Sequence, residues 1–164
     1  MRRIIESARE ITEKFGGRTV FETAENYGVT VWRRNLGSLK GFYIFENNRR
    51  YIVINESLDS VMQRVVCAHE LGHDVLHREL SAGGIRETTL LLSGNKTERE
   101  ANLFAACLLV PDDAVLSAIS YSDSIEALAF ELDLPPQIIE YKLEILNYMG
   151  YSFNVSSVNS DFLK

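Results

Sequence analysis

The sequence predicts an α+β domain, because helical and strand-like patterns occupy separate stretches of the chain. Apolar residues recur at helical spacing near the N-terminus and again through the C-terminal two thirds. Between them lie three short runs that are rich in β-branched and aromatic residues. Helices on either side of one small sheet define the α+β class. The 164 residues are typical of one domain and suffice to bury a core without a disulfide.

The first third of the chain predicts two helices and a three-stranded sheet. The helices are Ile4–Phe15, ended by Gly16 and Gly17, and Thr19–Tyr27, ended by Gly28. The strands are Val29–Trp32, Gly41–Phe45 and Tyr51–Ile54. The turn-forming residues Glu46–Arg49 separate the last two strands, so we expect an antiparallel hairpin in a mostly antiparallel sheet.

A long helix follows, with its cap near Ser57 or Asp59 and its end at about His77. Residues Leu80–Asn95 contain three glycines and predict loop in part, with some structure at Thr88–Leu92. Four more helices are expected: Thr97–Leu109, which Pro111 ends, then Asp113–Ile119, Ser124–Leu132 and Pro136–Tyr148. We divide the chain into a main domain (1–121), a helix-turn-helix-like helical module packed on it (122–150) and a polar C-terminal tail (151–164).

Composition narrows the function classes. Seventeen basic and 23 acidic residues give a net charge of −6, which argues against a general nucleic-acid surface. No apolar run reaches the ~20 residues of a membrane-spanning helix, and no signal-peptide pattern follows the start. We expect Cys67 and Cys107 to be free thiols in a reducing, cytoplasmic compartment.

The motif His69-Glu70-Leu71-Gly72-His73 contains the residues that indicate a catalytic metal site. Two histidines four apart share one helix face at about 6 Å along the axis, which lets both imidazoles bind one Zn²⁺. Glu70 is rotated by about 100° from His69, where it borders the site as a base for water. Two hydrogen-bonded core histidines are the alternative. Gly72 costs a helix about 1 kcal/mol against Ala, which suggests that another backbone approaches there.

A catalytic zinc usually has three protein ligands and one open position, so another element must supply the third. His77 lies about 12 Å along the axis from His69 and cannot share one ion with both histidines. We interpret His77 as a supporting or structural histidine. The downstream residues able to ligate are His77, Glu79, Glu87, Glu98, Glu100, Cys107, Asp112 and Asp113.

Two motifs together resemble the ImmA/IrrE family of bacterial zinc metallopeptidases. The first is His69-Glu70-Leu71-Gly72-His73 with Val75-Leu76-His77, and the second runs from Glu100-Ala101-Asn102 to Pro111. The hairpin from Gly41 to Asn55 is also similar to a segment of that family. The resemblance implies a zincin-like fold in which residues 1–121 form the peptidase domain. It also implies His69, His73 and Glu100 as zinc ligands and Glu70 as the catalytic base.

Helical geometry gives the same preference for Glu100 over Glu98. At about 100° per residue, Glu100 shares a face with Leu103, Phe104 and Cys107, which we expect to point inward. Glu98 falls nearly opposite, towards solvent. A capping box between Thr97 and Glu100 is the structural alternative. Because an isolated buried carboxylate is costly, we expect Glu100 to bind the metal.

The resemblance also implies a function. Family members occur in phages and integrative elements beside helix-turn-helix repressors, and some cleave those repressors. We therefore expect a zinc endopeptidase that cleaves such a repressor and derepresses genes. The alternative is a partner that holds the repressor without cutting it, as an anti-repressor or toxin-like component. The intact Glu70 argues against that alternative, since a structural site needs no base.

A DNA-binding regulator is the remaining rival, because Ser124–Glu140 resembles a helix-turn-helix segment. The helix Pro136–Tyr148, however, carries only Lys142 as a base beside Glu140 and Glu144, whereas a DNA-reading helix needs basic or polar contacts. We expect no direct nucleic-acid contact and no membrane contact. The candidates for an oxyanion donor are Tyr43, Tyr51 and His77.

Overall fold

The structure is a computed structural model that describes residues 1–78, 84–86, 96–122 and 124–153. The helices in these ranges are α1 (Arg2–Phe15), α2 (Val20–Asn26), α3 (Ser60–His77), α4 (Lys96–Leu109), α5 (Asp112–Ala118), α6 (Ile125–Glu131) and α7 (Pro136–Tyr148). The strands are β1 (Thr30–Arg34), β2 (Gly41–Glu46), β3 (Arg49–Asn55) and β4 (Gly84–Arg86). The predicted α+β class is confirmed.

The four described strands form one mixed sheet in the order β1–β3–β2–β4. The predicted antiparallel hairpin is confirmed: β2 pairs with β3, and Asn47 and Asn48 close the turn with φ values of 50° and 60°. Two consecutive positive φ values are typical of a type I′ turn, whose twist matches that of the strands. β1 pairs in parallel with β3, and β4 pairs antiparallel with β2.

β4 is an addition to the three predicted strands. It lies within the stretch 80–95 that the sequence predicts to be partly loop. The structure predicted at 88–92 lies outside the described residues.

Helix α3 lies between the sheet and α4. The sheet turns Tyr43, Ile52 and Ile54 towards this helix, and all three are fully buried. Gly41 permits the close approach, since a Cβ at that position would stand 2.4 Å from Cγ1 of Val66. This packing buries the α3 face that carries Val66 and Asp74.

The ends of α3 are those that the sequence predicts. Asp59 is the cap, and its side chain accepts a 2.7 Å hydrogen bond from the amide of Met62. Such a cap satisfies one of the backbone N–H groups that the first turn leaves free. The helix ends at His77, as predicted.

The remaining helices pack around α4. It contacts α1 and α7 as well as α3, and α6 packs on α7. The C-terminal helices are therefore joined to the site through α4. The division at residues 121 and 122 stays a prediction, as does the tail, of which only 151–153 are described.

Among the described helices, none is long and apolar enough to span a membrane alone. Lys96–Leu109 and Asp112–Ala118 have that length and composition only when taken together, and a bend of 77° separates them.

Candidate metal centre

Two buried histidines on α3 form one side of the candidate site. His69 and His73 are 1% and 2% exposed, and their Nε2 atoms lie 3.1 Å apart. Their rings meet edge to face with centroids 4.7 Å apart. One helical turn separates the residues, so both imidazoles leave the same face of α3. The arrangement predicted from their spacing is present.

Glu98, in the first turn of α4, brings a carboxylate to these imidazoles. Its Oε2 lies 3.3 Å from Nε2 of His69, and its Oε1 lies 3.3 Å from Nε2 of His73. One ligand atom from each residue lies within 4.8 Å of the others. This carboxylate, 12% exposed, occupies the position where the sequence analysis expected Glu100.

The structure places Glu100 elsewhere. Its Oε2 lies 3.1 Å from Nη2 of Arg3 and 3.3 Å from Nε2 of His77. The expectation that Glu98 faces solvent and that Glu100 joins His69 and His73 is therefore corrected.

The reason lies in which face of α4 meets α3. The fully buried residues there include Ala101, Asn102 and Ala105, which follow Glu98 at helical spacing. The sequence argument centred that face on Leu103, Phe104 and Cys107, of which Cys107 is only partly buried. Small residues mark the closest helix contact because they let the two backbones approach.

Gly72 makes this contact possible, as its position in the motif suggested. A Cβ on Gly72 would stand 3.1 Å from Cα and 3.2 Å from the carbonyl oxygen of Ala101. The absent side chain lets α4 lie directly against α3 between the two histidines. Glu98, one turn before Ala101, then reaches the imidazoles.

The donor set fits a divalent metal. Oε1 of Glu98 is buried and makes no hydrogen bond, and the same is true of Oε2 of Glu70. Buried polar atoms without a partner are rare and costly, so these oxygens point to a missing one. Two imidazoles and one carboxylate are ligand types that zinc takes in catalytic sites, where three protein ligands leave one position open.

The charge states of His73 and Glu98 suit a metal, whereas burial lowers the pKa of His69 but its contact with Glu98 outweighs this and raises that pKa. Burial lowers the pKa of His73 to about 4, so that imidazole is neutral. Burial raises the pKa of Glu98, but the adjacent imidazoles of His69 and His73 outweigh it and lower that pKa to about 2. A neutral imidazole and an ionised carboxylate are the forms that bind metals.

Glu70 borders the cluster as the sequence predicts. It is 1% exposed, and burial raises the pKa of its carboxyl to about 7. A carboxyl group with a pKa near neutrality can accept a proton and release it again. The residue is therefore chemically suited to general base catalysis.

Asn102 contacts the first histidine and was not singled out from the sequence. Its Oδ1 lies 2.8 Å from Nδ1 of His69, and both groups are buried. The signal available was a lone amide in the otherwise apolar run of α4.

Asp74 was also missed, although it follows His73 directly and is fully buried. Its carboxylate accepts hydrogen bonds from the hydroxyl of Tyr43 and from Arg50 at 2.9 Å. Arg78 donates twice to it, at 2.9 and 3.0 Å. This cluster ties α3 to β2 and β3 beside the histidines.

The three oxyanion candidates have other partners. Tyr43 donates its hydroxyl to Asp74, and the ring of Tyr51 packs on Trp32 with centroids 4.5 Å apart. Nε2 of His77 lies 3.3 Å from Oε2 of Glu100 without forming a hydrogen bond, and it does not join His69 and His73. An oxyanion donor is thus not identified among them.

An α+β fold that buries two imidazoles and a carboxylate together, with Glu70 beside them, is the arrangement expected of a metallopeptidase. The Peptidase_M78 family model, described as the IrrE N-terminal-like domain, matches residues 24–144. The chain belongs to this family, and the resemblance to ImmA/IrrE proteins is confirmed.

Two relatives agree with that assignment. The chain is 31% identical over 137 residues to "Uncharacterized immunity region protein 2" of Bacillus phage phi105, which covers 83% of this chain and 86% of that protein. It is 28% identical over 156 residues to "Metallopeptidase ImmA" of Bacillus subtilis (strain 168), which covers 91% and 90%. The protein is a metallopeptidase of the ImmA/IrrE type.

Proposed function

We propose that this metallopeptidase is a zinc-dependent endopeptidase that acts in the cytoplasm and cleaves a helix-turn-helix transcriptional repressor. Cleavage would derepress the genes that the repressor controls. The observation that carries the proposal is the convergence of His69, His73 and Glu98 beside the buried Glu70.

The metal ligands in this proposal are His69, His73 and Glu98. Each offers one atom to a common point, and the free Oε1 of Glu98 gains a partner there. Glu100 is not included, because its carboxylate pairs with Arg3 and His77. Three ligands of this type leave one coordination position for substrate chemistry.

Glu70 is the proposed general base. When bound, zinc would polarise the scissile carbonyl and lower the pKa of the attacking water. Glu70 accepts the proton of that water at its unpartnered Oε2 and transfers it to the leaving amine. Burial raises the pKa of its carboxyl to about 7 in the metal-free protein, which suits a group that accepts a proton and releases it again.

The repressor as substrate is supported by the two relatives. One is named for a phage immunity region and the other is named a metallopeptidase. Phage immunity depends on repressors, so a repressor is a natural substrate for a peptidase that is related to an immunity region protein. An extended segment of the target would pair with an edge strand of the sheet, which presents the scissile bond through main-chain hydrogen bonds.

Direct DNA binding by the C-terminal helices is not part of the proposal. Lys142, the basic residue of α7, has a side chain that is 2% exposed and is paired with Asp112. A buried, paired lysine does not neutralise DNA phosphates. The helices α6 and α7 therefore act as a packing module.

The test uses the purified 164-residue chain loaded with zinc and, as candidate substrates, purified helix-turn-helix repressors from the genome or phage that encodes it. We expect wild-type protein to cut one repressor at one position, detected by mass spectrometry. Glu70→Gln should retain zinc and lose cleavage. Glu131→Gln, at an exposed position, is the matched control and should cleave normally.

Two outcomes would contradict the proposal. Stoichiometric repressor binding without any cleavage by the zinc-loaded wild type would favour the non-cleaving partner. Digestion of unrelated unfolded proteins at a similar rate would contradict a regulatory substrate.

A further inference from the structure

We propose that Asn102 and Tyr141 are positioning residues that hold His69 in the form able to bind metal. The proposal rests on the zinc site described above. It extends that site from α3 and α4 to the C-terminal helix α7, which carries Tyr141.

The contact between Asn102 and His69 selects a tautomer. Oδ1 of Asn102 lies 2.8 Å from Nδ1 of His69, and an amide oxygen only accepts hydrogen bonds. Nδ1 must therefore carry a hydrogen, so in the neutral imidazole the lone pair lies on Nε2. Nε2 is the atom that faces Glu98 and His73.

An amide reversed at Asn102 would do the opposite. Its NH₂ group would face Nδ1 of His69, which would then accept and leave the hydrogen on Nε2. That tautomer has no lone pair on Nε2 for a metal. The direction of the Asn102 amide thus decides whether His69 can act as a ligand.

Tyr141 contacts the NH₂ end of the same amide. The NH₂ group of Asn102 donates to its hydroxyl oxygen at 3.3 Å, and the Tyr141 side chain is fully buried. Arg99 of α4 lies over the ring of Tyr141, with its guanidinium carbon 5.8 Å from the ring centroid, and pairs with Glu144 of α7. These contacts hold the Tyr141 side chain against α4.

The consequence is a chain of contacts from α7 to the metal centre: Tyr141, Asn102, His69. Partners of this kind fix ring orientation and tautomer, and their loss typically lowers metal affinity about 10–100-fold. Here the partner of the histidine is a neutral amide, so it orients the ring without adding charge to the site.

The experiment measures zinc affinity of the full chain by competition with a chromophoric chelator. We expect Asn102→Leu, which has a similar volume but no acceptor, to bind zinc about 10–100-fold more weakly than wild type. Asn102→Asp keeps the acceptor and should restore affinity to within about threefold of wild type. Asn147→Leu is the matched control, since Asn147 bonds only the backbone of Phe153 in the described residues.

Tyr141→Phe removes only the hydroxyl and should weaken zinc binding by about fivefold, the usual effect of one hydrogen bond. Tyr148→Phe is its control, because Tyr148 is on the same helix and 57% exposed. Unchanged affinity in both Asn102→Leu and Tyr141→Phe overturns the inference but leaves the zinc site intact.

A tautomer measurement covers the case in which Asn102→Leu does not fold. Long-range ¹H–¹⁵N spectra of zinc-loaded wild type should show the His69 hydrogen on Nδ1, exchanging slowly with solvent. A zinc-loaded His69 bound through Nδ1 overturns the inference. Failure of the wild type to bind any zinc overturns the proposed function itself and this inference with it.

Discussion

Gly72 of α3 lies against Ala101 of α4 so closely that a Cβ on the glycine would stand 3.1 Å from Cα of the alanine. The ring of Phe104 is 3.2 Å from the same point. Neither backbone has room to retreat, because both helices are buried along this contact. The absence of a side chain at Gly72 thus sets the distance between α3 and α4. That distance in turn lets the Glu98 carboxylate contact the two histidines.

Gly72→Ala tests this relationship. Alanine would gain about 1 kcal/mol of helix propensity, but overpacking costs about 1–3 kcal/mol, so we expect a net loss of up to about 2 kcal/mol. Zinc affinity should fall at least about tenfold, comparable to the loss of a supporting partner. Urea denaturation and chelator competition measure the two effects. A more stable variant with unchanged zinc affinity would contradict our account of the glycine.

The histidine pair could be predicted from sequence because its geometry is local. A spacing of four residues on a helix fixes the relative position of His69 and His73 without knowledge of any other element. The type I′ hairpin is similar, since Asn47 and Asn48 carry the turn in their own backbone preferences. Such features depend on few neighbouring residues.

The residue that supplies the third ligand, a carboxylate, could not be identified in that way. Glu98 and Glu100 lie two residues apart on α4, and which one meets α3 depends on the face that Gly72 and Ala101 bring together. A helical wheel drawn from bulky residues gave the wrong face, because the closest contact uses small ones. Asp74 was missed for the same reason, since its partners come from elements distant in sequence.

The two cysteines should differ in reactivity. Burial raises the pKa of the Cys67 thiol, which is fully buried, and raises that of Cys107 to about 11. The thiolate is the reactive form, so at pH 8 about one thousandth of Cys107 would be reactive. We expect alkylation of the native protein to be slow, to begin at Cys107 and to accelerate as pH rises towards 11.

Peptide mapping by mass spectrometry measures this order of labelling. Protein unfolded in urea is the control, and both cysteines should then react at similar rates. Faster labelling of Cys67 than of Cys107 in the native protein would contradict the burial described here.

Asp74→Asn should destabilise the fold strongly. The carboxylate is fully buried and holds Arg50 and Arg78, whose side chains are 19% and 38% exposed. Removing one partner of a buried charge cluster typically costs about 3–5 kcal/mol, and the partial exposure of the arginines reduces this to about 2–4 kcal/mol. The loss is measured as the shift in the urea midpoint.

Asp133→Asn is the matched control for that variant. Asp133 pairs with Arg64 at the surface, with side chains 74% and 37% exposed, and such pairs contribute about 0–1 kcal/mol. An equal, small effect of both substitutions would show that the Asp74 cluster contributes little to stability.

Glu98→Gln and Glu100→Gln decide which carboxylate completes the metal site. Glu98 lies 3.3 Å from both Nε2 atoms, so its replacement removes a charged ligand. We expect zinc affinity to fall by more than about 100-fold, since losing a ligand exceeds the cost of losing an outer partner. Glu100→Gln loses its contacts with Arg3 and His77, and should keep zinc while losing about 0–1 kcal/mol of stability. Chelator competition and urea denaturation of both variants measure the contrast. Retained zinc affinity in Glu98→Gln, together with its loss in Glu100→Gln, would reverse the assignment and return the ligand role to Glu100.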